Sequence, residues 1–400
     1  MRFPKFTELD KEQRAIYVGA PSNESILVMG PPGTGKTVLA FFRAAELQKR
    51  YEKQKEQSRK PFVIMFNRTL KTYASKREDG VATGVGCSTM NQWGWAWYKK
   101  ARGVSPPSLA GARSVYDLDW DGMLGPLLEK AMSSSERVNW GHLIIDEGQD
   151  FPAGMYRTLS ILAGFICAQG GSPAVTVFAD DNQRLSERSN STLQEIEEAL
   201  SLKKDRVYRL SKNYRCSRQI AEFARHYYVG LRSGTPDLPT RLGPSKPKVV
   251  VAGSLEVVRR RIVDFVSARR QLDVGVLCAR ESERKKIFNS VSHRIKDTGV
   301  LVQTYSSTCS DVHPPEKLVF DKGGSVTVLN FQSAKGLEFD AVFIIDPFSS
   351  GPGAVGVQSK MQLYVMASRA RNHLELLLMN PPDDLAGFLP PEELYEQAHE

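Results

Sequence analysis

An α/β fold with two tandem domains, each a parallel sheet flanked by helices, is predicted by three features of this 400-residue sequence. The apolar runs are short and uninterrupted, as in strands that are buried on both faces. Stretches of helical length separate these runs, which favours parallel pairing because parallel neighbours need a crossover connection. The alternation starts again near Leu210, so we expect one domain over residues 1–210 and another over residues 211–400.

Nine apolar runs are predicted to form the strands of the two sheets. They cover residues 26–29, 62–66, 142–145 and 174–178 in the first domain, and residues 248–252, 274–278, 326–330, 341–345 and 374–378 in the second. The charged run 49–60 predicts an exposed helix end and a loop. Segments 103–112 and 348–358 are rich in Gly, Pro and Ser and predict loops.

Composition and charge narrow the class of protein. The five cysteines form no C-x-x-C pair, which disfavours a zinc site or a disulfide framework and predicts a reducing compartment. No apolar run approaches the ~20 residues that span a bilayer, and residues 1–10 lack the apolar core of a signal peptide, so we expect a cytoplasmic protein without a membrane partner. Lys and Arg (54) exceed Asp and Glu (45), and the net charge of +9 suits a polyanionic partner without requiring one.

A phosphate-binding loop is predicted between the strand 26–29 and the helical stretch 38–47. Gly30-Pro-Pro-Gly-Thr-Gly-Lys-Thr37 matches the full G-x-x-x-x-G-K-[ST] pattern in the required context. Glycines let backbone N–H groups point at the phosphates, and the helix N-terminus adds partial positive charge. Lys36 is expected on the β- and γ-phosphates of ATP and Thr37 on Mg²⁺. The residues expected around the nucleotide are Gly30, Gly33, Thr34, Gly35, Lys36 and Thr37.

Two adjacent carboxylates follow the predicted strand 142–145. Asp146 is placed at the strand tip to hold Mg²⁺, directly or through water. Glu147 is the predicted base that orients and deprotonates the attacking water. Because neighbouring side chains on a strand point in different directions, the two acids can take different roles. A surface turn is the alternative for this pair.

Further motifs follow one another in a fixed order, and the series resembles the superfamily-1 helicases of the UvrD/Rep type. The resemblance covers residues 9–373 and implies two RecA-like domains that hydrolyse ATP between them and translocate on single-stranded DNA, with 3′-to-5′ unwinding of duplex as a further activity of the family. Besides the phosphate loop, the motifs are Leu9-Asp-Lys-Glu-Gln13, Met65-Phe-Asn-Arg68, Cys87-Ser-Thr-Met-Asn91, Ile144-Ile-Asp-Glu-Gly-Gln-Asp150, Phe178-Ala-Asp-Asp-Asn-Gln183, Asn213-Tyr-Arg215, Val328-Leu-Asn-Phe-Gln-Ser-Ala-Lys-Gly-Leu-Glu338 and Tyr364-Val-Met-Ala-Ser-Arg-Ala-Arg371.

The resemblance implies three contacts to the nucleoside. Gln13 looks like the residue that reads the adenine edge, since an amide donates and accepts there at once. Tyr214 looks like a residue that stacks on the base, and Glu338 looks like a ribose contact. The alternatives are a solvated helix residue for Gln13, a buried core tyrosine for Tyr214 and a helix-start carboxylate for Glu338.

The resemblance also implies three residues that act on the γ-phosphate. Gln183 looks like the sensor that couples hydrolysis to movement, with a polar turn as the alternative. Arg215 and Arg369 look like arginine fingers from the second domain, whose fixed charge would stabilise the transition-state oxygens. Surface ion pairs are the alternative for both arginines.

The nucleic-acid contacts follow from the same resemblance. Polar groups would hold phosphates and aromatic rings would stack on bases of single-stranded DNA, with RNA as a second possibility. The residues expected on this track are Phe66, Asn67, Thr89, Asn91, Gln332 and Ser333. The neighbouring Trp93, Trp95 and Trp97 cannot all face one way on a helix, so at least one is expected in the core.

The sequence departs from the family in its nucleic-acid motifs and in its length. The family usually has His at the position of Gln332, and Phe and His at those of Met90 and Asn91. Residues 184–188 lack the base-stacking Tyr/Trp cluster. The short intervals 99–142 and 216–325 predict a compact form without the large accessory subdomains. An alternative function is therefore a regulatory ATPase that gates a partner nuclease or effector in a bacterial defence or repair complex.

Overall fold

The structure is a computed structural model, and it describes residues 6–65, 84–111, 117–183, 190–306, 312–320, 323–348 and 356–400. The described chain divides into two compact units. The amino-terminal unit contains residues 6–31 and Gly35–Leu210, and the carboxyl-terminal unit contains Pro32–Thr34 and Ser211–Glu400. Each unit is built on one parallel sheet with helices, which confirms the predicted α/β fold class.

The sheet of the amino-terminal unit has six parallel strands in the order β3-β2-β4-β5-β1-β6. Its strands are β1 Ile26–Met29, β2 Pro61–Met65, β3 Gly86–Thr89, β4 His142–Ile145, β5 Ala174–Ala179 and β6 Val207–Arg209. Its helices are α1 Lys11–Arg14, α2 Lys36–Gln54, α3 Met90–Arg102, α4 Trp120–Ser133, α5 Ser135–Val138, α6 Ala153–Ala168 and α7 Leu193–Ala199.

The helix after the phosphate loop is longer than the sequence predicts. Helix α2 begins at Lys36, where Gly35 adopts a left-handed conformation, and continues to Gln54. Tyr51 lies in this last part and is 2% exposed, so the charged run 49–60 is not simply an exposed end. The Arg59 guanidinium lies 4.5 Å from the centre of the Tyr51 ring and donates to the Ser22 carbonyl oxygen. The run therefore covers the amino-terminal edge of the sheet.

The sheet of the carboxyl-terminal unit has seven parallel strands in the order β13-β7-β12-β11-β8-β10-β9. Its strands are β7 Lys248–Val251, β8 Asp273–Cys278, β9 Leu301–Tyr305, β10 Ser325–Asn330, β11 Phe339–Ile345, β12 Ala370–Leu378 and β13 Glu396–His399. Its helices are α8 Arg218–Arg225, α9 Leu255–Ala268, α10 Glu281–Ile295, α11 Phe331–Ala334 and α12 Val357–Ala367.

The intervals 99–142 and 216–325 were predicted to lack accessory subdomains. Their described residues contribute to the sheets and helices of the two units. Within 99–142, helix α4 packs in the same hydrophobic cluster as α6, through Met123 and Leu159 among others. Within 216–325, helix α8 and strands β7 to β9 belong to the second unit's own sheet and core. In the parts of both intervals that the structure describes, no separate subdomain is present. None of the described helices combines the length and the hydropathy needed to cross a membrane.

Candidate functional site

Three motifs converge at the carboxyl-terminal edge of the six-stranded sheet. The phosphate loop follows β1, the Asp146-Glu147 pair follows β4, and the segment 180–183 follows β5. Strand β5 lies between β1 and β4 and pairs with both. The carboxyl ends of parallel strands lie at one edge of a sheet, which is where α/β proteins bind ligands. The strand order therefore places the side chains after β5 between those of the other two motifs.

The phosphate loop has the backbone conformation that its glycines allow. Gly33 and Gly35 adopt φ values of 85° and 86°, in the left-handed region that disfavours other residues. Lys36 begins helix α2, and its ammonium group donates to the carbonyl oxygens of Gly30 at 2.6 Å and Pro31 at 3.1 Å. The loop thus holds its own lysine close to the backbone that would surround a phosphate. Thr34 is 1% exposed, and Gly30 begins the loop directly after β1.

The two predicted magnesium ligands contact each other. The Thr37 hydroxyl donates to Asp146 Oδ2 at 2.7 Å, although 109 residues separate them. Burial raises the pKa of Asp146, and the neighbouring Glu147 carboxyl raises it further. Asp146 Oδ1 is also buried, and it makes no hydrogen bond among the residues that the structure describes. A hydroxyl beside a buried carboxylate with one unshared oxygen fits Mg²⁺, a hard cation that prefers oxygen ligands.

Glu147 is held by a neighbouring amide. Its φ is 55°, which is uncommon for a residue other than glycine, and it is 6% exposed. Gln149 Nε2 donates to Glu147 Oε2 at 2.7 Å, and Gln149 Oε1 accepts from the backbone N–H of Asp180 at 2.9 Å. Gln149 is therefore a direct bridge between the acidic pair and the segment after β5. Its amide fixes one carboxylate oxygen of the predicted base.

Gln183 lies in the same network, through a residue that the sequence analysis did not single out. Its Nε2 donates to Asp180 Oδ2 at 2.6 Å, and the same oxygen lies 3.7 Å from Lys36 Nζ. Asp180 itself is fully buried. The signal was visible in the sequence, because Asp180 directly follows an apolar strand just as Asp146 does. The structure thus brings Lys36, Thr37, Asp146, Glu147 and Gln183 together at one sheet edge.

Gln13 also lies beside the phosphate loop. It is 5% exposed, so the alternative of a solvated helix residue is wrong. Its side-chain oxygen accepts from the Asp10 backbone in a reciprocal capping box that begins helix α1. A Cβ atom at Gly35 would lie 3.0 Å from Gln13 Nε2. The predicted adenine contact and the end of the phosphate loop are therefore neighbours.

In the carboxyl-terminal unit, Glu338 joins two arginines. It accepts from Arg215 at 2.7 Å and from Arg371 at 3.1 Å. Burial would raise the pKa of Glu338, but the positive charges of Arg215 and Arg371 lower it to about 2. Residue 339 begins a strand, so the helix-start alternative for Glu338 is wrong. Arg371, which was quoted only as part of a motif, is a second partner that the sequence analysis missed.

The two predicted fingers have different surroundings within this unit. Arg215 is largely buried, pairs with Glu338 and also donates to the Ser368 carbonyl oxygen at 3.2 Å. Arg369 is 1% exposed and donates to the Val365 carbonyl oxygen at 3.0 Å, so a surface ion pair is wrong for it. Tyr214 is 44% exposed with Lys212 near its ring, so it is not a core tyrosine.

The predicted nucleic-acid residues lie at the ends of two strands. Thr89 ends β3 and Asn91 lies in the first turn of α3; Gln332, which is exposed, and Ser333 lie in α11, directly after β10. Phe66 and Asn67 lie outside the described residues. Thr89 with Asn91, and Gln332 with Ser333, thus lie at the carboxyl-terminal edges of their own sheets. Whether these side chains contact nucleic acid stays a prediction.

The three tryptophans of α3 differ in burial, as their spacing along a helix requires. Trp93 and Trp97 are 9% and 6% exposed and stack on each other with ring centres 5.0 Å apart. Trp93 also stacks on Trp120, so this pair belongs to the core. Trp95 is partly exposed, with Lys99 Nζ 4.6 Å from its ring centre. Of the three, Trp95 is the one that a base could reach.

Comparison with known proteins agrees with the family resemblance. Residues 325–377 match the family model of the UvrD-like helicase C-terminal domain. This match covers the strand-and-loop region of Gln332, Ser333 and Glu338 and extends past Arg369. It confirms the predicted resemblance to the UvrD-type superfamily-1 helicases. No curated protein matches the chain.

Three solved structures illustrate the structural likeness. The DUF1998 helicase MrfA bound to DNA is similar with a TM-score of 0.50 and 12% identity, over 99% of this chain and 50% of that chain. MrfA bound to DNA and AMPPNP gives 0.46 and 11%, over 92% and 48%. The C-terminal domain of a possible DNA helicase from Lactobacillus plantarum gives 0.33 and 20%, over 46% and 98%. The chain thus spans about half the length of the MrfA chains, and the first likeness supports the fold alone.

Proposed function

We propose that this chain, which carries a UvrD-like helicase C-terminal domain over residues 325–377, is an ATP-driven nucleic-acid motor. It hydrolyses ATP with Mg²⁺ and uses the cycle to translocate on single-stranded DNA in the 3′-to-5′ direction. The observation that carries the proposal is the convergence of three motifs at one sheet edge. A phosphate-loop lysine, a hydroxyl–carboxylate pair and a second carboxylate there supply the groups that phosphoryl transfer needs.

Each group has a definite part in the proposed reaction. Lys36 would bind the β- and γ-phosphates, and Thr37 and Asp146 would hold Mg²⁺, which when bound would offset the negative charge of the phosphates. Glu147 takes a proton from water as the water oxygen bonds to the γ-phosphorus. The bond from that phosphorus to the bridging oxygen breaks, which yields ADP and phosphate. Gln149 keeps the Glu147 carboxylate oriented for this step.

The proposal gives the remaining predicted residues roles that follow from the resemblance. Gln13 reads adenine, Tyr214 stacks on the base and Glu338 contacts the ribose. Gln183 senses the γ-phosphate, and Arg215 and Arg369 stabilise its charge in the transition state. Single-stranded DNA lies along the surfaces of Phe66, Asn67, Thr89, Asn91, Gln332 and Ser333. The buried, ordered setting of Gln13 and Gln183 supports specific contacts there, because a buried amide needs fixed partners.

The test is the ATPase rate without nucleic acid and with single-stranded DNA, duplex DNA or RNA. We expect single-stranded DNA to raise kcat at least about tenfold, which corresponds to ordinary allosteric coupling. The variant Lys36→Ala should remove turnover under all four conditions and shows that the rate belongs to this site. An unchanged rate with every nucleic acid would contradict the motor and leave an unregulated ATPase. Labels at the 3′ or 5′ end of an oligonucleotide then report the direction of movement.

A second candidate is a regulatory ATPase that gates a partner nuclease or effector. It is favoured by the intervals 99–142 and 216–325, whose described residues build the two sheets and their helical layers and leave no separate subdomain for duplex contacts. Such a protein would form a stable complex with another chain and respond only modestly to DNA. Size-exclusion chromatography of the native protein distinguishes the two candidates, because a motor that acts alone elutes as the free chain.

A further inference from the structure

We propose that Asp180 is a positioning residue that competes with the triphosphate for Lys36 and at the same time orients Gln183. The inference rests on the proposed function, since it concerns how the same site receives ATP. It starts from the position of Asp180 directly after β5, the strand between β1 and β4. From there it contacts residues of both neighbouring motifs.

Asp180 changes the electrostatic potential around Lys36. Asp180 Oδ2 lies 3.7 Å from Lys36 Nζ, and the two side chains are 0% and 6% exposed. Opposite charges attract more strongly when water is excluded, so this carboxylate offsets much of the positive potential at the loop. A triphosphate that binds Lys36 brings its own negative charge to the same ammonium. Asp180 and the phosphate therefore repel each other while both attract Lys36.

The same carboxylate also binds the side-chain amide of Gln183. The Oδ2 atom that faces Lys36 also accepts the hydrogen bond from Gln183 Nε2 at 2.6 Å. Asp180 Oδ1 accepts from the Asn182 backbone N–H at 3.1 Å, which fixes the carboxylate plane. One oxygen thus serves both the phosphate-binding lysine and the predicted sensor. When phosphate draws Lys36 away, that oxygen no longer divides its charge between Lys36 and Gln183, so the position of Lys36 and the hydrogen bond of Gln183 are coupled.

The backbone of Asp180 extends the coupling to the predicted base. Its N–H donates to Gln149 Oε1, and Gln149 Nε2 donates to Glu147. Gln149 is fully buried, so neither end of its amide has water as a substitute partner. A shift of the segment 180–183 is transmitted through this amide to Glu147. Asp180 therefore contacts Lys36 and Gln183 directly and is connected to Glu147 through Gln149.

The decisive variant is Asp180→Asn, which keeps the size of the side chain and removes its charge. Equilibrium binding of a fluorescent ATP analogue in EDTA reports affinity without turnover, and steady-state ATPase reports kcat. We expect binding to tighten about fivefold, because the competing charge is gone, while kcat falls about tenfold or more because Gln183 loses the charged acceptor that orients its amide. Opposite changes in binding and kcat are not produced by a merely structural defect, which weakens both.

Two further variants complete the experiment. Gln149→Met removes both hydrogen bonds of this amide, the one to Glu147 and the one from the Asp180 backbone N–H, but leaves the Asp180 carboxylate beside Lys36. The kcat should therefore fall about tenfold with ATP binding unchanged within about twofold. Asp205→Asn removes the same charge from an exposed position of the same unit and controls for net charge; it should match the wild type. Thermal melting of each variant, followed by tryptophan fluorescence, identifies any that have lost their fold.

The outcomes separate this inference from the proposed function. Weaker ATP binding by a folded Asp180→Asn protein, or unchanged binding and kcat, overturns the inference alone. If that variant is unfolded, the decision passes to Gln149→Met, and an unchanged kcat there overturns the coupling. A wild-type chain that binds no nucleotide overturns the proposed function first. Tighter binding with slower turnover supports both.

Discussion

At the scale of single residues, Glu147, the proposed base, has an unusual backbone conformation. A φ of 55° is uncommon outside glycine, and such a conformation persists only where the surroundings hold it. Here the hydrogen bond from Gln149 and the turn at 148–150 hold it. Thr37 contacts the Asp146 carboxyl and Gln149 contacts the Glu147 carboxyl, so the two adjacent acids have different partners. The pair can therefore divide metal binding and proton transfer between them.

Glu147→Gln should keep ATP binding and lose turnover. The amide has nearly the shape of the carboxylate but cannot accept the proton of the attacking water, so we expect kcat to fall about 10²- to 10⁴-fold. The ATPase rate and the equilibrium affinity for ATP, measured on the same preparation, check the expectation. Glu136→Gln, an exposed acid in α5, is the matched control and should behave as the wild type. Unchanged kcat would refute the assignment of Glu147 as the base.

At the scale of elements, helix α2 connects the two edges of the six-stranded sheet. It begins with Lys36 at the phosphate loop and carries Arg43, which is 1% exposed, toward the opposite edge. Arg43 donates to the carbonyl oxygens of Ile16 and Pro21 and to the Thr176 hydroxyl. These bonds tie the segment that follows Gln13 to the same helix that begins with Lys36. The residues proposed to contact adenine and phosphate are thus held by one helix.

The buried His142, at the start of β4, lies in this polar region. Its Nδ1 is 3.1 Å from both the Ser22 carbonyl oxygen and the Tyr51 hydroxyl, and its Nε2 is 2.9 Å from the Thr176 hydroxyl. Burial lowers the pKa of His142 well below its usual value, and the positive charge of Arg43 lowers it further. The native state therefore holds a neutral imidazole, while the unfolded chain titrates near pH 6.5.

The amino-terminal unit should lose stability as the pH falls below about 6.5, where the unfolded chain binds a proton that the native histidine does not. Above that pH the contribution of His142 is complete. Between pH 7.5 and 5.0 the free energy of unfolding should fall by up to about 2 kcal/mol more in the wild type than in His142→Gln. Urea unfolding followed by tryptophan fluorescence measures it, since all five tryptophans lie in this unit. Equal losses in both proteins would contradict it.

At the scale of the whole molecule, the net charge predicts how the affinity for single-stranded DNA depends on salt. The chain carries +9, so we expect Lys and Arg side chains beside the proposed DNA track to neutralise phosphates of the bound strand. Binding of this kind releases counterions from the phosphates, so it weakens with salt. For about three to four neutralised phosphates we expect log K for single-stranded DNA against log salt to slope at about −2 to −3. Fluorescence anisotropy of a labelled oligothymidine checks this, and a slope near zero would count against phosphate contacts.

The strands that the sequence predicts are the buried ones. All nine predicted runs form strands, because a continuous apolar run between loops leaves few other ways to bury itself. Strands β3, β6, β9 and β13 were not predicted as strands. All four are outer strands: β3 and β6 in the six-stranded sheet, and β13 and β9 in the seven-stranded sheet. The residues of β3, β6 and β13 are mostly half-buried or exposed. Outer strands keep one side in solvent, so their composition lacks the signal.

The residues of the proposed nucleotide site also fall into two groups: those that the sequence predicts and those that only the structure shows. Lys36, Thr37, Asp146 and Glu147 are predictable, because a phosphate loop and an acidic strand end have local patterns with a direct chemical meaning. The part played by Asp180, by Gln149 and by the Glu338–Arg371 pair is visible only in three dimensions. Gln149 contacts the backbone of Asp180 across 31 residues of sequence. No local pattern shows which two strand ends will be neighbours.

The amino-acid sequence alone determined the α/β class, the buried strands, the phosphate loop and the acidic pair, because each depends on periodicity or spacing within a short segment. The tertiary structure alone decided that Asp180 contacts both Lys36 and Gln183 and that Glu338 joins Arg215 to Arg371. The contacts of Asp180 depend on the strand order that places β5 between β1 and β4, and the Glu338–Arg371 contact depends on the pairing of β11 with β12. Strand order results from the packing of whole sheets and helices, so it cannot be read from any one segment.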